Sequence, residues 1–324
     1  AMGGLLVGQI VAARKFMYGL GIDTEWVFLI FWAFVIVYTM IGGLKAVAWT
    51  DVYQVLFILG LFVILFVITL QQFPVTELTW QPTPQALAKL EFHLLTPLLL
   101  PVLFCLVEQD LAQRCFAARS KRTATLGALV AALILLGFGF VPIYFGVLAQ
   151  HLGVSITSGQ SILVVLMTQL YQPWVLALIT VGLLAAIIST ADSLLCAISS
   201  NLALDFGLQQ ASTRVALHGS RAITLVSGIV ALLIAYRFDN IILVLVHSAE
   251  LPVSALFIPI LMCCVCQKVY RLGAILAVVG GAATFIWFKL FPVAYPNEVV
   301  QILVSLVGYG IGVGWQKQLF FRSA

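Results

Sequence analysis

The chain has 324 residues, of which 63% are apolar and only 9% charged, with a mean hydropathy of +1.14 and a net charge of +4. Soluble domains carry about 25% charged residues, so a soluble globular enzyme is excluded. The 16 basic residues are scattered among apolar runs, which excludes a nucleic-acid binder, whose phosphate contacts need a basic stripe. The runs are apolar throughout rather than alternating, which leaves an all-α polytopic membrane protein seated in a lipid bilayer and not an outer-membrane barrel.

A helix needs about 20 apolar residues to cross about 30 Å of hydrocarbon. Residues 1–19 begin apolar but meet Arg14 and Lys15 after about 20 Å of helix. The charges follow the apolar stretch, unlike those of a signal peptide. These residues are expected to be the second half of a span whose first half is absent. Nine complete spans are expected next, near 26–43, 52–70, 96–116, 124–149, 173–203, 219–236, 241–266, 271–291 and 298–316. Tyr38, Trp49 and Tyr53 read as interface aromatics. The two longest connections, 71–95 and 150–172, are expected to carry short surface helices acting as lids.

Function is expected where polar groups lie at membrane depth. Asp51 opens the second full span and reads either as a helix N-cap or as part of an ion pathway. In the third, Pro97 and Pro101 precede Glu108, Gln109 and Asp110. Proline removes an intrahelical hydrogen bond, so a discontinuous helix lining a cavity is expected there; the competing reading pairs Glu108 and Asp110 with Arg114 and Arg119 at the inner interface. In the span 173–203, Ala186, Ser189 and Thr190 follow i, i+3, i+4 spacing, which puts one carbonyl and two hydroxyls on one helical face. They suit a hard cation, which takes oxygen ligands, or else the hydroxyls bond back to the preceding turn. Asp192, two residues on, needs a partner that nothing adjacent in sequence supplies. In the span 241–266, His247 and Glu250 lie three apart, with Pro252 beyond; they read as a mutually satisfied pair or as a substrate or proton site. The six cysteines sit in or at the ends of spans, with Cys263, Cys264 and Cys266 clustered at an inner end, and form no metal-ligand pattern. No catalytic motif and no cofactor site is expected.

Basic residues collect on the cytoplasmic side. Placing the 44–50 loop inside puts 11 Lys and Arg residues inside and 5 outside, with Arg114, Arg119, Lys121 and Arg122 carrying much of the difference. The C-terminus is then cytoplasmic.

Three stretches together resemble the sodium:solute symporter family: Tyr38 to Gln54 (YTMIGGLKAVAWTDVYQ), Glu108 to Ser120 (EQDLAQRCFAARS) and Ala185 to Leu195 (AAIISTADSLL). The resemblance implies a leucine-transporter-type fold of ten core helices in two inverted repeats, working by alternating access around a midplane site. It makes residues 1–266 the transporter core, from part of core helix 3 to helix 10, and 267–324 two peripheral helices with a cytoplasmic tail. Core helices 1 and 2 and half of helix 3 are then absent. It implies sodium as the coupling ion, with Ala186, Ser189 and Thr190 as ligands, and Asp51 and Asp192 in ion coupling and release. Glu108, Gln109, His247 and Glu250 remain the substrate candidates. Two acids in the Glu108 stretch depart from the Asn-Gln pattern of the sugar transporters and favour an amino acid such as proline, or a carboxylate. The remaining sodium ligands are expected on the absent helix 1, so the site assignments describe a complete symporter in a plasma membrane, the bacterial inner membrane included. A symporter-like membrane sensor domain is the alternative implied function.

Overall fold

The computed structural model describes residues 2–22, 24–78, 95–155, 161–207, 213–238, 240–266, 270–291 and 297–322, and no strand occurs among them. The helices in chain order are α1 (Met2–Gly19), α2 (Glu25–Gln72), α3 (Leu95–Val107), α4 (Gln109–Ala117), α5 (Lys121–Phe138), α6 (Phe140–His151), α7 (Ile162–Leu170), α8 (Pro173–Asp205), α9 (Thr213–Ala235), α10 (Ile241–Val265), α11 (Arg271–Leu290) and α12 (Asn297–Arg322). A short 3-10 turn, Val75–Glu77, follows α2.

Helices occupy all nine expected spans, but among the described residues seven helical segments are long and apolar enough to cross a membrane, one of them formed by α5 and α6 together. Two local features account for the difference. The spans 26–43 and 52–70 run together as the 48-residue α2, interrupted only at Gly43 with φ 60° and ψ −171°. That backbone region is essentially confined to glycine. The span near 96–116 is divided into α3 and α4 by Glu108, whose ψ of 119° is extended. The break falls at Glu108 and not at Pro101, which α3 retains inside the helix.

Gly43 turns α2 into a helical hairpin. The start of its first limb, Glu25, accepts a hydrogen bond from Tyr236 at the end of α9. Near the end of the second limb, the Leu65 carbonyl accepts one from Tyr171 at the start of α8. Because α8 and α9 are joined by a short connection and meet at Ser199 and Ser220, the end of α9 and the start of α8 lie at the same end of the bundle. Both outer ends of α2 therefore reach that end, and Gly43 lies at the other.

The limbs enter different cores. Phe28, Trp32 and Val35 of the first limb pack with Leu6 and Ile10 of α1 and Leu194 and Leu195 of α8. Phe62 and Leu65 of the second limb pack with Phe145 and Leu148 of α6, Leu166 and Met167 of α7, and Ile179 of α8. Short helix α7 thus occupies part of one expected lid; residues 79–94 and 156–160 of the two lids lie outside the described residues. Helix α5 has no buried residue and leaves Leu129, Leu133 and Leu136 open, the surface a helix presents to lipid rather than to water. Helix α11 packs closely on α10: a Cβ at Gly281 would overlap the Ser254 carbonyl oxygen. Small residues at such contacts are how membrane helices gain packing when lipid is as apolar as their side chains.

Candidate functional site

Helix α8 runs through the centre of the site. On its exposed-to-half-buried side, the Ala186 carbonyl oxygen accepts from Ser189 Oγ at 3.1 Å and from Thr190 Oγ1 at 3.2 Å. The i, i+3, i+4 spacing therefore brings the three oxygens together as expected. The hydroxyls follow the habit of this bundle, in which Thr39, Thr180, Thr224 and Ser248 likewise donate to the carbonyl four residues earlier. A hydroxyl that donates its proton to a carbonyl keeps its oxygen lone pairs free to accept.

One turn further along, a polar cluster joins α8 to both limbs of α2 and to α4. Asp192 is fully buried and accepts a hydrogen bond from Tyr38 Oη through Oδ2, while its Oδ1 has no side-chain donor among the described residues. Tyr38 is thus the partner that Asp192 required and is not the interface aromatic its sequence position suggested. Trp49 and Tyr53 do remain exposed, stacked on each other at 6.5 Å. Next to Asp192, Ser193 Oγ accepts from Arg114 Nη2 at 2.5 Å. The same guanidinium nitrogen donates to Asp51 Oδ2 at 2.8 Å.

This geometry corrects two readings of the sequence. Helix α2 runs unbroken through Asp51, so Asp51 is no N-cap; its carboxylate is directed across the bundle to Arg114. Among the described residues the ion pair that Arg114 forms is with Asp51, where the sequence suggested Glu108 or Asp110. Glu108 stands at the start of α4 beside Asp110, whose Oδ1 is buried without a partner among the described residues, as are Asp51 Oδ1 and Gln54 Oε1.

A cavity of about 760 Å3 opens between α1, α8, α9 and α10. Its walls are mostly apolar, with Gln109, Asn201, Asp205, Ser227, His247 and Ser248 as polar points. Asn201 Nδ2 of α8 donates to Gln109 Oε1 of α4 and closes one end. Of the four substrate candidates, Gln109 and His247 border this cavity, whereas Glu108 and Glu250 do not. The His247 and Glu250 pairing is also corrected. Glu250 is 2% exposed and both its oxygens are taken by other helices, with Oε2 at 2.7 Å from Lys289 Nζ of α11 and Oε1 accepting from Gln301 Nε2 of α12 at 2.9 Å. Three residues of helix leave His247 and Glu250 within about 60° of each other, so spacing allows the pair, and it is the donors offered by α11 and α12 that take the carboxylate instead. Tyr38, Asn201, Lys289 and Gln301 were not singled out as partners of these sites. The only sequence signal was the presence of lone polar groups at depth, each of which requires a partner somewhere.

Comparison with known proteins sets these residues in context. The chain is 30% identical over 200 residues to the sodium/proline symporter of Staphylococcus aureus, covering 58% of this chain and 37% of that protein; the same-named proteins of strains JH9 and Newman match equally. The chain thus spans little more than a third of the length of these relatives. Among solved structures, the substrate-bound outward-open state of a Na+-coupled sialic acid symporter superposes with a TM-score of 0.66 at 21% identity, over 96% of this chain and 73% of that one. That likeness establishes the leucine-transporter-type fold of a multi-pass integral membrane protein. The sodium:solute symporter family, a family of transporters and not of enzymes, matches residues 2–281. On that match, spanning α1 to the middle of α11, the chain belongs to the sodium:solute symporter family.

Proposed function

We propose that this chain serves in sodium-coupled secondary active symport of a small organic solute across a plasma membrane by alternating access. The observation that carries the reading is the oxygen triad on α8. A hard cation held by oxygens at about 2.4 Å in a six-coordinate shell spaces neighbouring oxygens about 3.4 Å apart. The contacts of 3.1 and 3.2 Å from the Ala186 oxygen to Ser189 and Thr190 lie close to that spacing. Ala186, Ser189 and Thr190 would then supply one face of a sodium shell, and the rest would come from elsewhere in the transporter. Asp51 and Asp192, a helical turn away, would couple the ion to release: their unpartnered carboxylate oxygens offer a departing cation a second place to rest.

The solute would occupy the 760 Å3 cavity, which is roomy for a small molecule with an apolar body. Gln109 and His247 would orient it, with Glu108 close to Gln109 at the α3–α4 break. A proline-like amino acid or another small carboxylate is the solute class, supported by the acids of the Glu108 stretch and by the sodium/proline symporters among the relatives. A membrane potential of about 100 mV contributes about 2.3 kcal/mol per sodium ion, and a tenfold gradient needs about 1.4 kcal/mol. One ion therefore suffices for more than tenfold accumulation. The charge bias of the loops orients the C-terminus to the cytoplasm; Lys89 and Lys268, which enter that count, lie outside the described residues. The test is uptake of labelled proline by proteoliposomes or cells containing the protein at graded sodium concentrations. Ser189→Ala and Thr190→Ala are expected to raise the sodium requirement about tenfold, the scale of one lost ligand. Uptake indifferent to sodium would overturn the reading.

A further inference from the structure

The cavity wall on α10 has a support that the proposed ion and solute sites do not use. Helix α10 carries Pro252 and Pro259 internally. Pro252 has no N–H to bond the Ser248 carbonyl, so α10 is weakest between the segment that lines the cavity, Leu243 to Ser248, and the segment beyond. Each side of that weak point has its own attachment. Beyond it, Ser254 meets Gly281 of α11 backbone to backbone, and Ser254 is buried. Before it, Ala249 shares an apolar cluster with Ile302 of α12, and the polar attachment to α11 and α12 is Glu250, with both carboxylate oxygens engaged by Lys289 and Gln301. Gln301 is fully buried, and Lys289 also lies 5.3 Å from the Phe285 ring. On the opposite face, Ser248 lies against Gly4 of α1, where a Cβ would collide with its Oγ.

We infer that Glu250, Lys289 and Gln301 form a clasp that positions the His247–Ser248 wall of the cavity by tying the hinged half of α10 to the peripheral pair α11–α12. These are positioning residues: none borders the cavity, and each acts through α10. A carboxylate at this depth without its cation would draw in water or pull α10 toward another donor, and Ser248 would move off Gly4. The peripheral helices thereby enter the solute site at one remove, as the fixed frame against which the hinge at Pro252 is set.

The test uses the protein carrying Ser248→Cys, with maleimide labelling at that position resolved by peptide mass so that the native cysteines remain. Glu250→Gln and Lys289→Met are each expected to raise the labelling rate at position 248 about tenfold, and Gln301→Leu about threefold, following the strength of the bonds removed. The exchange Glu250→Lys with Lys289→Glu is expected to return labelling to within about twofold of the parent, because the Gln301 amide can turn over to accept from the new lysine. Unchanged labelling in Gln301→Leu, or in either charge variant with its helical circular dichroism intact, overturns the inference, as does a rise that the exchange fails to reverse. A parallel uptake assay rests on the symport reading: there the single variants are expected to raise KM about tenfold with Vmax held within twofold. Uptake that proves independent of sodium strikes the symport reading alone, since the labelling arm involves no transport.

Discussion

Two of the buried carboxylates among the described residues, one on α8 and one on α10, are provisioned in opposite ways. Glu250 has a lysine on one oxygen and an amide on the other. Asp192, fully buried, has a tyrosine hydroxyl on one oxygen and no side-chain donor on the other among the described residues. A carboxylate with its lone pairs filled by a cation and an amide is fixed in place, because any movement leaves charges unpaired in a low dielectric. A carboxylate with an open oxygen beside Asp51, Ser193 and a half-exposed Arg114 can exchange partners at little cost. The same chemical group is a fastening on α10 and an available acceptor on α8.

That contrast is broken or sharpened most strongly by parallel amide substitutions. Glu250→Gln strands the Lys289 ammonium and is expected to destabilise the protein by about 3 kcal/mol, read as a lower unfolding temperature in detergent; adding Lys289→Met should restore most of the loss. Gly43→Ala tests whether the hairpin that brings Tyr38 to Asp192 depends on its backbone, and an alanine in that glycine-only region should cost about 1–3 kcal/mol in a denaturant titration. Tyr38→Phe removes the side-chain hydroxyl that donates to Asp192 and should cost about 1–2 kcal/mol. The smallest stability effect is expected from Asp192→Asn, about 1 kcal/mol or less, because an amide keeps an oxygen for Tyr38 and puts a donor where the open oxygen was. Asp192→Asn should nonetheless weaken sodium activation of uptake in the assay proposed above. Equal destabilisation by the two amide substitutions would erase the distinction between fastening and available acceptor.

Much of the site was legible along the chain, and the part that was not has a physical cause. The spacing of Ala186, Ser189 and Thr190 follows from 3.6 residues per turn alone, and the structure brings their oxygens within 3.2 Å. Asp192 was legible as an acid in need of a partner. Tyr38 was not legible as that partner, since the two are 154 residues apart and a tyrosine near a span end ordinarily marks the lipid interface. Glu250 shows the converse error: His247 was near enough on the helix to suggest a pair, but local spacing is silent on which helix packs against each face.

The sequence by itself determined that the chain is a bundle of apolar helices in a bilayer, where they lie, and which few polar residues each require a partner. Those properties depend on composition, run length and helical period, which are local. Only the tertiary structure decided that Gly43 folds α2 into a hairpin serving two cores, that the third span breaks at Glu108 rather than at its proline, and that Arg114 goes to Asp51 and Glu250 to Lys289. Each of these depends on contacts between residues far apart in the chain, chosen by packing against neighbouring helices, and a lone charge at depth specifies that it must be paired without specifying by what.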